Sequence, residues 1–198
     1  MLSLHEELII LISTFLNNKE KIVLASLTKS FTMFQKKFIY HDKIDARKIM
    51  NVPYNNNFTY VVYTHEPDYF GIPPFVTHLY IDDWFNEPLD ELPKSLKFIR
   101  ISESFDNKIN IPSSVTHMLF DEFAKYPYTE LPPNVTHIML EYYYHATHKF
   151  PDTIKYLFAN KIDASSNIVS SSTTIIYYDY INYHTVVKNF SDSASLLE

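Results

Sequence analysis

The 198-residue sequence contains no cysteine and a single glycine, Gly71. Without cysteine the chain can form no disulfide, no thiolate zinc site and no cysteine nucleophile. An average domain of this size would carry about fourteen glycines. The glycine-rich loops that bind phosphate, and the glycine-flanked nucleophile turn of the serine hydrolases, therefore cannot be built from this chain.

Basic residues are also scarce, since 17 Lys and Arg stand against 23 Asp and Glu, for a net charge of −6. This balance opposes a phosphate backbone, which argues against nucleic acid as a partner. The longest apolar run, Leu8 to Ile12, is too short for a membrane helix, and the acidic pair before it contradicts a signal peptide. The sequence predicts an intracellular protein that is soluble and binds no membrane.

The first fifty residues carry apolar side chains at helical spacing. Ser3 and Glu6 have the spacing of a capping box, which predicts that a first helix begins near Leu4 and ends at Asn17-Asn18. A second helix is predicted from about Glu20. A third apolar run contains Phe31, Phe34 and Phe38. This segment has more apolar surface than so small an element can bury by itself, so it needs a partner surface.

The remainder of the chain is a repeat with a period of 19 or 20 residues. Prolines stand at positions 73, 93, 112, 132 and 151, and Ser170 takes the next place. Counting the third residue after each proline as position one, positions one, four and six are apolar, and this pattern is typical of a leucine-rich-repeat strand. The predicted inward residues are Val76, Leu79, Ile81; Leu96, Ile99, Ile101; Val115, Met118, Phe120; Val135, Ile138, Leu140; Ile154, Leu157, Ala159; and Thr173, Ile176, Tyr178.

Two stretches resemble known families. Leu4-His5-Glu6-Glu7-Leu8, Ile12, Phe15, Leu16 and the run from Leu24 to Phe31 resemble the F-box, over residues 1 to about 45. Phe85-Asn86-Glu87-Pro88-Leu89 and the run from Phe105 to Pro112 resemble the FNIP repeat, over residues 72 to 180. The two occur together in protein families of slime moulds and giant amoebal viruses, so the resemblance implies a protein that acts in a (host) cytoplasm and interacts with host proteins.

The F-box resemblance implies docking on a Skp1-like subunit of a cullin ubiquitin ligase. On this hypothesis the contact residues are Leu4, Leu8, Ile12, Leu16, Leu24, Leu27 and Phe31. The chain would then be a substrate receptor without catalytic residues of its own. The alternative is a plain repeat scaffold whose N-terminal helices only cap the solenoid, and this alternative requires Leu8, Leu16 and Leu24 to be covered.

In a repeat strand, positions three, five and seven lie on the face opposite the inward residues. Positions three and five are here mostly apolar or aromatic, and such a face is typical of a protein-binding surface. The predicted target contacts are Tyr80, Phe98, Arg100, Leu119, Met139 and Phe158. The alternative is that residues 39 to 65 or the C-terminal tail fold over the sheet and bury this face.

No enzyme or cofactor motif stands out, so we expect neither catalysis nor a bound cofactor. His117 and His137 would be neighbours across two strands, but His78 lies too far along the row to complete a metal site. Glu141, His145 and His148 have helical metal-ligand spacing yet fall partly on a loop, so no metal is predicted.

Together these observations predict an α+β fold, in which a three-helix F-box-like element precedes a leucine-rich-repeat-like solenoid with a parallel β-sheet. The predicted boundaries are 1–48 for the helical domain, 49–71 for a linker with a degenerate first repeat, 72–190 for about six repeats, and 191–198 for a tail. The strand of the degenerate repeat is predicted at Phe58 to Tyr63.

Overall fold

The computed structural model describes residues 4–65, 71–89, 91–107, 109–121, 131–141, 149–160, 169–179 and 181–195. The chain divides into two compact units, Met1–Val62 and Tyr63–Glu198. The first unit is mainly helical, and the second holds the repeat sheet. The units are described separately below.

The first unit begins with two α-helices, α1 (Leu4–Ser13) and α2 (Asn18–Ser26). Asn17 caps α2: its side chain accepts from the Glu20 amide, and the Glu20 carboxylate accepts from the Asn17 amide, 2.9 Å in both directions. The start of α1 near Leu4 is confirmed, whereas its predicted Ser3 cap lies outside the described residues. The role of Asn17 differs from the expectation, because its backbone is extended (φ −73°, ψ 171°) and starts the next helix.

The third apolar run forms a short 3₁₀ helix, Thr32–Lys36, instead of an α-helix. Phe34 and Phe38 are buried, and their rings stack at 6.0 Å. Further on, Tyr40 and Phe58 stack at 4.4 Å. Aromatic side chains therefore provide much of the core of this small unit.

Two strands complete the first part of the chain, β1 (Ile44–Asp45) and β2 (Val61–His65). They pair in parallel, with Ile44 opposite Val61. The strand expected at Phe58 to Tyr63 therefore begins three residues later than predicted and ends two residues later. Strand β1 was not anticipated, because two residues are too few to show a period.

The second unit is a parallel sheet of short strands that follow one another in chain order, as in a solenoid. The strands are β3 (His78–Ile81), β4 (Phe98–Ile101), β5 (His117–Phe120), β6 (His137–Leu140), β7 (Tyr156–Ala159) and β8 (Thr174–Tyr177). The predicted parallel solenoid is confirmed. Across β3 to β7 the register joins equal positions of the repeat, for example His78 with Phe98 and His117 with His137.

Each repeat begins with a tight turn at its proline corner. The amide of the third residue after the proline donates to the proline carbonyl, for example Val76 to Pro73 and Leu96 to Pro93, both at 3.1 Å. Thr173 donates to Ser170 in the same way, so the serine does occupy the sixth corner. The proline fixes φ and lacks a donor that this corner does not need.

The inward rows form the interior of the solenoid. Positions one, four and six of the first five repeats are buried without exception, from Val76 to Ala159. On the descending side the rings of Phe85 and Phe105 stack at 6.2 Å. Beside them Asn107 Nδ2 donates to Asn86 Oδ1 at 2.7 Å, which joins one repeat to the next.

The register of the sixth strand differs from the prediction by one residue. Leu157 pairs with Ile175, and Ala159 pairs with Tyr177, whereas the period places Ile176 and Tyr178 there. The side chain of Tyr178 consequently lies outside the solenoid interior, and its hydroxyl donates to the Leu140 carbonyl at 2.5 Å. The period fails at this point because Tyr178 is buried on the sheet face with Phe190 and Ala194 instead of inside the solenoid.

The C-terminal part of the unit is helix α3 (Tyr183–Ser193). The sequence-based boundaries divide these residues between the sixth repeat and the tail, but they form one continuous helix. Asp179 and Asn182 precede it and exchange two hydrogen bonds of 3.0 Å, each side chain accepting from the other residue's amide. This turn allows the chain to reverse from β8 back across the sheet.

Candidate functional site

The face of the sheet that was predicted to bind a target carries two rows of side chains in register. Position three contributes His78, Phe98, His117, His137 and Tyr156, and position five contributes Tyr80, Arg100, Leu119, Met139 and Phe158. Because equal positions are neighbours across the strands, the sequence period alone brings these side chains together.

Helix α3 covers this face. Phe98, Leu119 and Met139 are fully buried in a cluster with Tyr178, Phe190 and Ala194. The expectation that these three side chains face solvent is therefore wrong, and the alternative, coverage by the C-terminal segment, is what the structure shows. The physical reason is that an apolar sheet face costs free energy in water, and an amphipathic helix of the same chain removes it from water.

Phe190 is the centre of this contact. Its ring lies edge-on to the rings of Phe158 at 5.0 Å, His117 at 5.2 Å and Phe98 at 6.1 Å. Edge-to-face geometry at these distances is the favourable arrangement of aromatic pairs. One side chain of α3 thus packs against three strands.

Hydrogen bonds hold the C-terminal end of α3 on the sheet. His78 Nε2 lies 3.0 Å from the Ser191 carbonyl, and the Tyr80 hydroxyl lies 2.8 Å from Ser191 Oγ. His117 Nε2 lies 3.0 Å from Ser193 Oγ. At the other end of the helix the Tyr183 hydroxyl donates to Glu141. The helix therefore crosses the strands, from β6 back to β3.

The histidines are oriented by the residue before them. In the Thr77-His78, Thr116-His117 and Thr136-His137 pairs the threonine hydroxyl lies 2.8 to 2.9 Å from Nδ1 of the following histidine. This contact turns Nε2 of His78 and His117 toward α3. Two of the three Val-Thr-His units, those of His78 and His117, thus bind α3.

Burial lowers the pKa of His117 and of His137. It lowers the pKa of His117 to about 3, and the neighbouring His137 and His78 add to the effect. The rings of His117 and His137 stack at 4.0 Å, a distance that two imidazolium ions would not tolerate. Among the described residues no three metal-ligating side chains converge, and His145 and His148 lie outside these residues.

Arg100 lies in an acidic group at the carboxyl ends of the strands. Its guanidinium binds both oxygens of Asp121, at 2.8 and 2.7 Å, and lies 3.2 Å from Asp83. Burial raises the pKa of Asp121 to about 7 although Arg100 opposes the shift. Arg100 thus neutralises carboxylates of its own chain.

In the first unit, α2 buries polar residues and exposes apolar ones. Its inner side carries Asn18, Lys21 and Ala25. Lys21 Nζ donates to the Ile39 carbonyl at 2.6 Å, and burial lowers the pKa of this lysine. The exposed residues of the same helix and its C-cap include Ile22, Val23 and Leu27. In the described part of the chain, this inversion of the usual pattern leaves apolar side chains of α2 exposed.

Helix α1 and its C-terminal flank also expose large apolar side chains. Leu8 is 49% exposed and Phe15, just beyond the helix, is 82% exposed. Among the predicted Skp1 contacts, Leu8, Ile12 and Leu27 are exposed and Leu16, Leu24 and Phe31 are half-buried; the side chain of Leu4 lies outside the described residues. We call the exposed apolar residues of the two helices and their flanks the N-terminal face: Leu8, Leu11, Ile12, Phe15, Ile22, Val23 and Leu27.

Residues of α3 were missed by the sequence reasoning. Val186, Val187, Phe190 and Ala194 recur at helical spacing and contact the sheet face. This spacing was a detectable signal of an amphipathic helix. It was obscured because the period of the preceding repeats was extended through the same residues.

Comparison with known families supports the repeat assignment. Residues 70–104 match the family model of the FNIP Repeat. This stretch contains β3, β4 and Phe85, and it ends one residue before Phe105, on which the Phe85 ring stacks. No curated protein and no solved structure matches the chain. Within the described ranges, no helix combines the length and apolarity needed to cross a membrane. The FNIP repeat and the solenoid indicate a repeat-based interaction scaffold, whereas the F-box resemblance stays a prediction.

Proposed function

We propose that this chain is a non-catalytic adaptor. Its N-terminal face docks on a Skp1-like subunit of a cullin ubiquitin ligase, and its repeat unit presents the binding site for a target protein. One observation carries the proposal: α1, α2 and their flanks expose seven large apolar side chains, while α2 buries the polar side chains of Asn18 and Lys21.

The energetics favour a protein partner for the N-terminal face. Fully burying one large aliphatic or aromatic side chain is worth about 1.5–3 kcal/mol. Seven such residues are exposed on one pair of helices and their flanks, so covering even half of their area would offset much of the cost of association. Of the three residues that the capping alternative requires to be covered, Leu8 is 49% exposed, and Leu16 and Leu24 are half-buried.

The chain itself would supply proximity instead of chemistry. It has no cysteine, so it cannot carry ubiquitin as a thioester, and transfer would depend on other subunits. Holding a target beside the ligase raises the effective concentration of the reacting groups.

The target site lies on the second unit in this proposal. Phe98, Leu119 and Met139 cannot contact a target while α3 is in place, since all three are fully buried. A target that used the sheet face would have to displace Phe190 and bury a comparable aromatic side chain in its place.

The experiment is a pull-down of purified Skp1 with the full-length chain. We expect wild type to retain Skp1, and Leu8→Asp to lose most of it, because the substitution places a charge in the apolar contact. The matched control is Met50→Asp, in which another exposed apolar residue of the same unit, 54% exposed, receives the same charge. Failure of the folded wild-type chain to retain Skp1, or equal losses in the two variants, would refute the adaptor role.

A further inference from the structure

In the described part of the chain, the last strand of the solenoid and the residues after it leave apolar side chains exposed. By register, Ile175 continues the inward row of Leu157 and Tyr177 continues the row of Ala159. Leu157 and Ala159 are buried, whereas Tyr177 is 61% exposed and Ile181, four residues later, is 92% exposed. Repeat proteins normally close such an end with a polar cap. Here apolar side chains face solvent instead.

The backbone at this end has free hydrogen-bonding positions on its outer edge. The amides of Thr174 and Tyr178 donate to β7, to the carbonyls of Lys155 and Ala159 at 2.8 and 3.1 Å. Successive residues of a strand point to opposite sides, so the N–H and C=O groups of Ile175 and Tyr177 point away from β7. In the described part of the chain, β8 is the last strand of the order and no other strand pairs with this edge.

The β8 edge also lacks the charged side chains that usually prevent an exposed strand from pairing with another molecule. Residues 164 to 178 contain no Asp, Glu, Lys or Arg, although the chain carries a net charge of −6. Natural proteins place lysine, proline or a bulge on exposed edges to prevent pairing between molecules. Two copies of this uncharged edge can approach without repulsion between their nearest side chains.

We propose that the β8 edge binds a second copy of this chain, as an antiparallel strand pair with the two-fold axis at Ile176. This register sets Ile175 opposite Tyr177 of the second copy, so that the outward groups of one edge meet the outward groups of the other. A shift by one residue would set outward groups against inward ones and lose these bonds. This is the one register in which both outward residues of β8 are paired with the outward residues of the second copy.

The interface is small. Each of the two Ile175–Tyr177 pairs exchanges two hydrogen bonds, and the isoleucines at the axis form a β-branched pair. The contact falls below the roughly 1,200 Å² of a standard stable interface. We therefore expect a dimer that forms at high protein concentration and dissociates on dilution.

The first test is the molar mass of the full-length chain in solution, from low to several hundred micromolar protein, by sedimentation equilibrium. We expect a shift from the 23.4 kDa monomer toward a dimer. Tyr177→Lys should weaken the dimer at least about tenfold, because it sets a like charge on each side of the axis. The matched control is Tyr156→Lys, one strand in from the edge, which should leave the association unchanged. A monomer at every concentration, or equal weakening by both variants, would overturn the proposal.

The second test reports the register and leaves the edge itself almost unaltered. Because the chain has no cysteine, Ile176→Cys introduces a single thiol that meets its own copy across the axis, about 4.5 Å apart between Cα atoms. We expect rapid disulfide-linked dimers under mild oxidation. The same change at Thr174, which this register sets opposite Tyr178 of the second copy, should cross-link at least about tenfold more slowly. Equal rates for the two variants would show that β8 does not pair in this way.

Discussion

Acidification should weaken the attachment of α3 through His117. Its ring is fully buried, and its Nε2 lies 3.0 Å from Ser193 Oγ. The folded chain holds this side chain neutral, with a pKa of about 3 against an ordinary value of 6.5. In the unfolded chain the same side chain takes up its proton near pH 6.5. Stability therefore falls as the pH drops below 6.5, and it continues to fall until the folded histidine is itself protonated near pH 3.

The magnitude follows from the width of this window. One pH unit of unequal proton binding is worth about 1.4 kcal/mol. Between pH 6.5 and pH 5 the unfolded state binds the proton and the folded state does not, so His117 alone lowers the free energy of unfolding by about 2 kcal/mol. Part of the loss should appear first as release of α3, since the protonated ring would lie beside His78 and His137.

The assay is urea unfolding at pH 7, 6 and 5, followed by far-UV circular dichroism. Tryptophan fluorescence is a poor probe because the single tryptophan, Trp84, is 87% exposed. The comparison is with His117→Gln, whose amide can replace Nε2 as a partner for Ser193 and does not titrate. Other groups shift with pH as well, and burial of Asp121 gives it the opposite trend, but they contribute equally to both chains.

The quantity to compare between wild type and His117→Gln is therefore the change of the free energy of unfolding with pH. We expect wild type to lose about 2 kcal/mol more than His117→Gln between pH 7 and pH 5. Parallel pH dependences would refute the reasoning, because they would mean that His117 is as easily protonated in the folded chain as in the unfolded one.

Two further predictions concern side chains that join separate parts of the second unit. Phe190→Ala should lower the free energy of unfolding by about 3–5 kcal/mol because of the cavity it leaves on the sheet. Asn189→Ala, exposed on the same helix, should change it by less than about 0.5 kcal/mol. Both are measured by urea unfolding, and similar effects of the two substitutions would contradict the packing of α3. Arg100→Ala should cost about 2–3 kcal/mol at neutral pH because it removes both hydrogen bonds that the buried Asp121 carboxyl accepts from the guanidinium. Arg47→Ala, which removes an exposed ion pair, should lower the free energy of unfolding by less than about 1 kcal/mol in the same assay. Equal losses for Arg100→Ala and Arg47→Ala would show that burial does not strengthen the Arg100–Asp121 pair.

The repeat could be predicted from the sequence because its period is a local property. Each proline corner, each inward residue from Val76 to Ala159 and the parallel order of β3 to β7 follow from a spacing of 19 or 20 residues. A strand alternates its side chains between two faces whatever lies nearby. The same reasoning correctly grouped Phe98, Leu119 and Met139 on one face.

The sequence-based prediction of the sheet face was wrong where contacts join elements that are far apart in the sequence. The strand pattern shows that this face is apolar, but not whether solvent, a partner or the chain itself covers it. Contacts between His78 and Ser191, or His117 and Ser193, join residues more than seventy positions apart, and no spacing rule connects them. The one-residue shift at Tyr178 has the same origin, since its hydroxyl binds the Leu140 carbonyl across the sheet.

The scarcity of glycine likewise separates what the sequence determines from what the tertiary structure determines. The sequence by itself determined that no glycine-rich loop exists and that the corners must be made with other residues. Prolines make the corners before the strands, and after β3 the Asp82 side chain accepts the Trp84 amide at 3.0 Å. Only the tertiary structure decided which apolar surfaces remain exposed, because burial depends on which elements the fold brings together. In the described part of the chain, α3 covers the sheet face, whereas the N-terminal face and the β8 edge are exposed.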